Sequence, residues 1–139
     1  MRPAVRGDLA FLLALRRASM GPHLQTAGRP WDEDALLSRV HDGFEHASII
    51  LEGERDIGLL KVARRLPAWR LIQLQLLPDC HGRGLGGKLI RSLQREAEHA
   101  GAALELSVLE RNPARRLYLR LGFVDIQYAD GEFLMRWTA

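Results

Sequence analysis

The stretch Pro78-Asp79-Cys80-His81-Gly82-Arg83-Gly84-Leu85-Gly86-Gly87-Lys88 constrains this chain more than any other. It lies between a strand-like apolar run, Leu71 to Leu77, and a helical run, Leu85 to Ala100. Gly82, Gly84, Gly86 and Gly87 place four glycines within six residues at that junction. A tight turn needs one glycine; four let the backbone approach a ligand. The start of a helix adds unpaired N–H groups and the positive end of the macrodipole. The junction is therefore expected to hold a phosphate or pyrophosphate, with basic Lys88 and Arg91 just beyond it.

Two nucleotide motifs overlap these residues. Gly82 and Gly87-Lys88 have P-loop spacing, but Leu89 stands where Ser or Thr would hold magnesium. Gly82, Gly84 and Gly87 also spell G-x-G-x-x-G, and Glu105 follows at the distance of a ribose-binding acid. Against this, Pro78 to His81 separate the strand from the first glycine, and too little chain remains for a two-halved dinucleotide fold. A small dinucleotide-binding protein is kept as an alternative.

The downstream sequence adds a second motif. Gly101 stops the helix, and Ala103 to Leu109 alternates Leu104, Leu106 and Val108 with Glu105 and Ser107, a strand pattern. Asn112 and Pro113 open another helix as N-cap and first helical residue. It runs from Ala114 to Leu121, Gly122 ends it, and Phe123 begins a strand.

These two motifs together resemble the GNAT acyltransferase superfamily. Leu76-Leu77-Pro78 matches the apolar-x-Pro step of that family, and Gly84-Leu85-Gly86 the core of its cofactor motif. His81 stands where Arg or Gln is usual. Asn112-Pro113-Ala114-Arg115-Arg116-Leu117-Tyr118 and Leu121-Gly122-Phe123 match the family's second half. The resemblance implies an α/β (α+β) fold: a mixed, mostly antiparallel central sheet with helices on both faces, whose strands splay apart around the cofactor.

It also implies an acetyl-CoA-dependent N-acetyltransferase that moves an acetyl group to a primary amine of a small molecule or peptide. Acetyl-CoA would be the cosubstrate, held by His81, Gly82, Arg83, Gly84, Leu85, Gly86 and Gly87 at the pyrophosphate. Leu74, Gln75 and Leu76 would hold the pantetheine arm, and Asn112 would touch it near the thioester. Tyr118 would be the general acid. Gln73 and Trp31 are candidate acceptor contacts. Tyr118 shares its helical face with Ala114 and Leu121, so a packed core tyrosine is the competing reading, just as a plain N-cap is for Asn112.

No acid lies in Leu71 to Leu77, where many members of the family place a general base; Gln73 and Gln75 can hold a water but take no proton. Glu33 and Glu110 are the alternative acids. The missing strand acid keeps open a catalytically silent CoA-binding sensor or interaction module.

Length and composition bound the rest. The 139 residues fit one domain, 1–139, without repeats or linkers. Cys80 is the single cysteine and the five histidines are scattered, so neither a disulfide nor a metal site is expected. No apolar run reaches membrane-spanning length and no secretory signal is legible, which gives a cytoplasmic expectation with no membrane partner. Net charge is +3, with arginines dispersed and aromatics at 6%, so a nucleic-acid partner is not expected; a homodimer is allowed.

In the N-terminal half, residues 2–6 read as a strand and Asp8 as the cap of a helix from Leu9 to Ser19, broken by Met20-Gly21-Pro22. His23 to Pro30 reads as a loop, and a second helix runs from Trp31 to about Asp42. Strands follow at Ala47–Leu51, Ile57–Ala63 and Trp69–Leu77. The expected order is β-α-α-β-β-β-α-β-α-β-β, ending in a strand from Glu132 to Trp137.

Overall fold

The long amphipathic stretch after the glycines folds as read. α3 spans Leu85–Ala100, with Ile90, Leu93 and Ala97 buried at helical spacing and Gly101 closing it in the left-handed region at φ 71°. The computed structural model describes residues 1–26 and 33–139, with side chains described outside 19–33. The helices before it are α1, Leu9–Thr26, and α2, Glu33–His41; after it comes α4, Ala114–Arg120. The strands are β1 Arg2–Pro3, β2 Ala47–Glu52, β3 Arg55–Ala63, β4 Ala68–Leu76, β5 Ala103–Leu109, β6 Val124–Ala129 and β7 Glu132–Trp137. The expected element order is the observed one.

The seven strands are ordered β1-β2-β3-β4-β5-β7-β6. β1–β2, β2–β3, β5–β7 and β6–β7 are antiparallel, whereas β4 and β5 are parallel, with register from Ala68↔Ala103 to Leu71↔Leu106. A parallel pair needs a crossover, and α3 supplies it.

By contact density the chain forms two units: residues 1–62 with 73–83, and residues 63–72 with 84–139. In the first, Leu12 and Leu15 of α1 and Val40 of α2 close over Ala47, Ile49 and Leu59. Lys61 is fully buried there, and its Nζ donates to the carbonyl oxygens of Arg39, Val40 and Asp42 at 3.0, 2.8 and 2.7 Å. An ammonium has three donors, and these acceptors lie at and just beyond the C-terminal end of α2, where cations are favoured. In the second unit, Leu104, Leu106, Phe123 and Met135 form the interior.

Three N-terminal expectations need correction. α1 does not break at Met20-Gly21-Pro22 but continues to Thr26. A proline removes one backbone donor and crowds one carbonyl, a cost of about 3 kcal/mol that its surroundings can override. β1 is only Arg2–Pro3, because a 3-10 turn at Arg6–Asp8 interrupts the strand. Within that turn the Asp8 carboxylate accepts the Val5 N–H at 2.8 Å and is gripped at both oxygens by Arg2, so it reaches backward rather than capping α1.

Candidate active site

Gly82 and Gly84 adopt φ of +76° and +73°, which L side chains rarely tolerate, and a Cβ at either would meet nothing within 4 Å. Gly84 starts α3 without any side-chain cap. The Lys88 N–H makes the first helical bond, to the Gly84 carbonyl at 3.1 Å, so the N–H groups of Leu85, Gly86 and Gly87 lie in the helix's donor-rich first turn. A Cβ on Gly86 or Gly87 would make ordinary contact with Leu117, at 3.5 and 3.6 Å. Packing within the protein therefore does not demand glycine at these two positions, which suits close approach by an external group. Open space, bare donors and the helix dipole fit a pyrophosphate.

The segment leading into the cradle is tightly tethered. Pro78–Cys80 is a 3-10 turn, with the Cys80 N–H bonded to Leu77 O at 2.9 Å. His81 Nε2 lies 2.9 Å from Leu76 O and must donate, since a carbonyl only accepts. Arg83 forks onto both oxygens of Glu52, and Arg55 pairs with Asp79 at 2.8 Å. These contacts hold the Arg83 pKa above, and those of Glu52 and Asp79 below, their ordinary values. The His81 and Arg83 side chains are thus engaged inside the protein, leaving backbone as the loop's main offering to an anion. Burial pushes the Cys80 thiol up, which makes it an unreactive packing group.

Gln73 and Gln75 of β4 are buried, at 6% and 5% exposure. Both amide atoms of Gln73, and Oε1 of Gln75, have no hydrogen-bond partner among the described residues. Buried amides are nearly always satisfied, so a water or a ligand is the natural complement. Beside them sits Gly58, whose Cβ would fall 2.3 Å from Gln75 O. The β2–β3 register slips at the same place, between Ile50 and Leu51. Leu77 N–H also points at β3, to Ile57 O at 2.8 Å. Strand alternation then turns the backbone of Leu74 away from β3.

In the second unit, Asn112 Oδ1 accepts the Ala114 N–H at 3.0 Å, while Pro113 rather than Asn112 is the N-cap of α4, so Asn112 closes the turn one residue ahead of the cap. Arg115 pairs with Asp125 and stacks 3.9 Å over Phe133, which makes it a packing residue. Tyr118 is buried against Phe123, with ring centroids 5.8 Å apart. Desolvation pushes its phenol up to about 12, and the hydroxyl engages no other described residue. Gly122, at φ +94°, lies against Trp137, and a Cβ there would come within 3.3 Å of the indole.

Of the two alternative acids, Glu110 accepts the Tyr128 hydroxyl at 2.6 Å. The side chains of Glu33 and Trp31 lie outside the described residues. Gly58 was not singled out from sequence, although a glycine inside an apolar strand is a signal of close backbone approach.

A family model described as an acetyltransferase (GNAT) domain matches residues 44–125, more than half of the chain and parts of both units. A GCN5-like protein acetyltransferase of Mycobacterium tuberculosis is 32% identical over 102 residues, 71% of this chain and 43% of that protein. The chain thus spans less than half the length of this relative. Among solved structures, the PaiA N-acetyltransferase of Thermoplasma acidophilum, in complex with coenzyme A, aligns over 97% of this chain and 95% of its own, at 16% identity and TM-score 0.76. The ribosomal-protein-S18-alanine N-acetyltransferase of Escherichia coli aligns over 96% and 89%, at 21% identity and TM-score 0.68. At these identities the structures speak for the fold alone.

Proposed function

The chain belongs to the GNAT acetyltransferase family, and from that premise we propose an acetyl-CoA-dependent N-acetyltransferase, residues 1–139 acting as one domain, that modifies a primary amine of a small molecule or peptide. The observation that carries this reading is the open glycine cradle at Gly82–Gly87 with its uncapped helix start.

When bound, acetyl-CoA supplies an activated thioester. Backbone N–H groups of Leu85, Gly86 and Gly87 bind its pyrophosphate, with Gly82 and Gly84 shaping the approach. His81 and Arg83 hold the loop in shape through Leu76 O and Glu52. Leu74, Gln75 and Leu76 receive the pantetheine arm in the manner of an added strand, and an N–H there polarises the carbonyl as charge develops. Asn112 holds the turn into α4 through the Ala114 N–H and touches the arm.

Tyr118 donates a hydrogen bond to the departing sulfur. Its pKa of about 12 keeps the proton on the phenol. A thiol in water titrates near 8.5, roughly, so complete transfer runs uphill unless the sulfur is desolvated too, as it would be beside a buried ring. Gln73 offers its unpartnered amide to the acceptor or to an activating water, and Trp31 is assigned to the acceptor side from sequence.

The test uses Tyr118→Phe, which keeps the ring and deletes the donor. Turnover should fall by roughly 10²–10⁴, with acetyl-CoA affinity and melting temperature nearly unchanged. Near-normal turnover, with about 1 kcal/mol lost in stability, would make Tyr118 a packing residue. The absence of an acid on β4 favours one second reading, a CoA-binding module without catalysis. Acetyl-CoA raising the melting temperature while a panel of amines and peptides gives no product and no thioester loss would select it.

A further inference from the structure

A second feature lies on the second unit and does not involve the glycine cradle. Arg91, Gln94, Arg95 and Glu98 recur at i, i+3, i+4 and i+7 on one face of α3. With Arg120 at the end of α4 and Trp137 at the end of β7, they line an open hollow of about 380 Å³. Gln94 is buried, and its Nε2 donates to Leu121 O at 2.9 Å, which fixes the floor between the two helices. Trp137 is half-buried and rests on Gly122, where a Cβ would press on the indole at 3.3 Å.

Arg65, Arg70, Arg111 and Arg116 of this unit form no ion pair among the described residues, and the hollow gathers three more such arginines in one place. Arg64, Arg115 and Arg136 pair with Glu96, Asp125 and Glu105. Among the described residues, Arg91, Arg95 and Arg120 make no ion pair and Glu98 is the one acid lining the hollow. Three guanidiniums against one carboxylate leave the hollow with a formal charge of +2. Its volume is within the range of small-molecule sites, roughly 300–1,000 Å³. Guanidinium forks match phosphate oxygens in pairs, and an indole beside them offers a stacking surface for a planar ring. Arginines set against the C-terminal carbonyls of α4 would also gain from the helix dipole, a purely structural use that the experiment must separate.

We propose that this hollow is a binding site for a phosphate-bearing small molecule, with a nucleoside phosphate as the expected form. At about 1.5 Å of rise per residue, Arg91 lies about 6 Å and Arg95 about 12 Å along α3 from Gly87, so the hollow begins one turn beyond the cradle and extends away from it. The proposal does not depend on the acetyltransferase reading.

Calorimetric titration of the full chain with ATP and with inorganic tripolyphosphate, each with and without saturating CoA at low ionic strength, tests it. The expected result is saturable ATP binding that survives CoA. It should weaken at least about tenfold in the double variant Arg95→Gln/Arg120→Gln, while the CoA-induced melting shift of that variant stays intact. Trp137→Leu should weaken ATP and leave tripolyphosphate unchanged. No binding at millimolar ATP, or binding that CoA abolishes and the double variant retains, overturns the site. Equal binding of both probes, insensitive to Trp137→Leu, overturns the nucleoside assignment and identifies an inorganic polyphosphate site.

Discussion

The approach to the glycine cradle and the α3–α4 hollow are both rich in arginine, and they use it in opposite ways. At the cradle, Arg83 is held by Glu52, Arg55 by Asp79, and His81 by a backbone carbonyl. At the hollow, three guanidiniums make no ion pair among the described residues. A loop whose own side chains, at His81 and Arg83, are already engaged offers an anion mainly backbone donors, which are fixed in place and weakly sensitive to salt. A site of unpaired guanidiniums recognises it through flexible charges that salt screens. Within the first unit's interior Lys61 and the Arg2–Asp8 pair are satisfied in the same way, whereas the buried Arg16 keeps an Nε without a partner among the described residues.

The largest expected effect tests that interior pairing. Lys61→Met removes the ammonium and orphans three carbonyls, and it should cost about 3–5 kcal/mol in urea unfolding, at about 1–3 kcal/mol for each buried acceptor left unsatisfied. A loss below about 1 kcal/mol would mean that the first unit does not depend on the carbonyl-satisfied ammonium. Desolvation lowers the Lys61 pKa from 10.5 to about 8, so it remains charged at neutral pH. Between those two values the unfolded chain binds more protons than the folded one, so this residue makes stability rise with pH across that window. The wild-type curve minus that of Lys61→Met isolates the slope, and a difference that falls from pH 8 to 10.5 contradicts the assignment.

Gly84→Glu should come next. A carboxylate placed at the uncapped helix start, on a backbone with φ +73°, should weaken CoA at least about 100-fold in a protein that still folds. That corresponds to about 2.7 kcal/mol. Unchanged affinity would remove the backbone from the recognition of the anion.

Arg2→Ala should cost about 1–3 kcal/mol near neutral pH by leaving the Asp8 carboxylate with only the Val5 N–H. In the native protein Arg2 holds the Asp8 pKa below 3.8. Its stabilisation is therefore complete above that value and is lost as pH falls through the lower folded one. The acid limb of the stability curve should flatten in the variant; an unaltered limb would assign acid unfolding elsewhere.

Arg83→Ala should have the smallest effect. Its pair with Glu52 is exposed, so stability should move by less than about 1 kcal/mol. CoA affinity should change less than about threefold if the backbone carries recognition. A larger loss of affinity would show that Arg83 leaves Glu52 for the ligand, and the contrast between the two sites would narrow.

The second half of the chain was far more legible than the first. α3, β5 and β7 run between the residues read from sequence, because each has a strong period and glycines or a capping residue at its ends. α1 did not, because the breaking tendency of Gly21-Pro22 is local and the continuing helix is decided by its surroundings. The cradle was visible as a run of glycines, whereas the engagement of His81 and Arg83 depends on partners such as Glu52, 31 residues away in sequence, which no local pattern specifies. Lys61 has the same character: a lysine within an apolar strand normally reads as solvent-facing, and only α2's terminal carbonyls make its burial tolerable.

The single thiol turns the tethered loop into its own clock. Cys80 is 1% exposed and sits in the turn that Asp79, Leu77 and the His81 ring hold together. A disulfide reagent can reach it only when that turn opens, so its labelling rate in the native protein reports the opening equilibrium without any engineered probe. Rising CoA concentration should slow the labelling as ligand selects the closed turn, and a plot of rate against CoA would yield an affinity for the cradle in the absence of any acceptor.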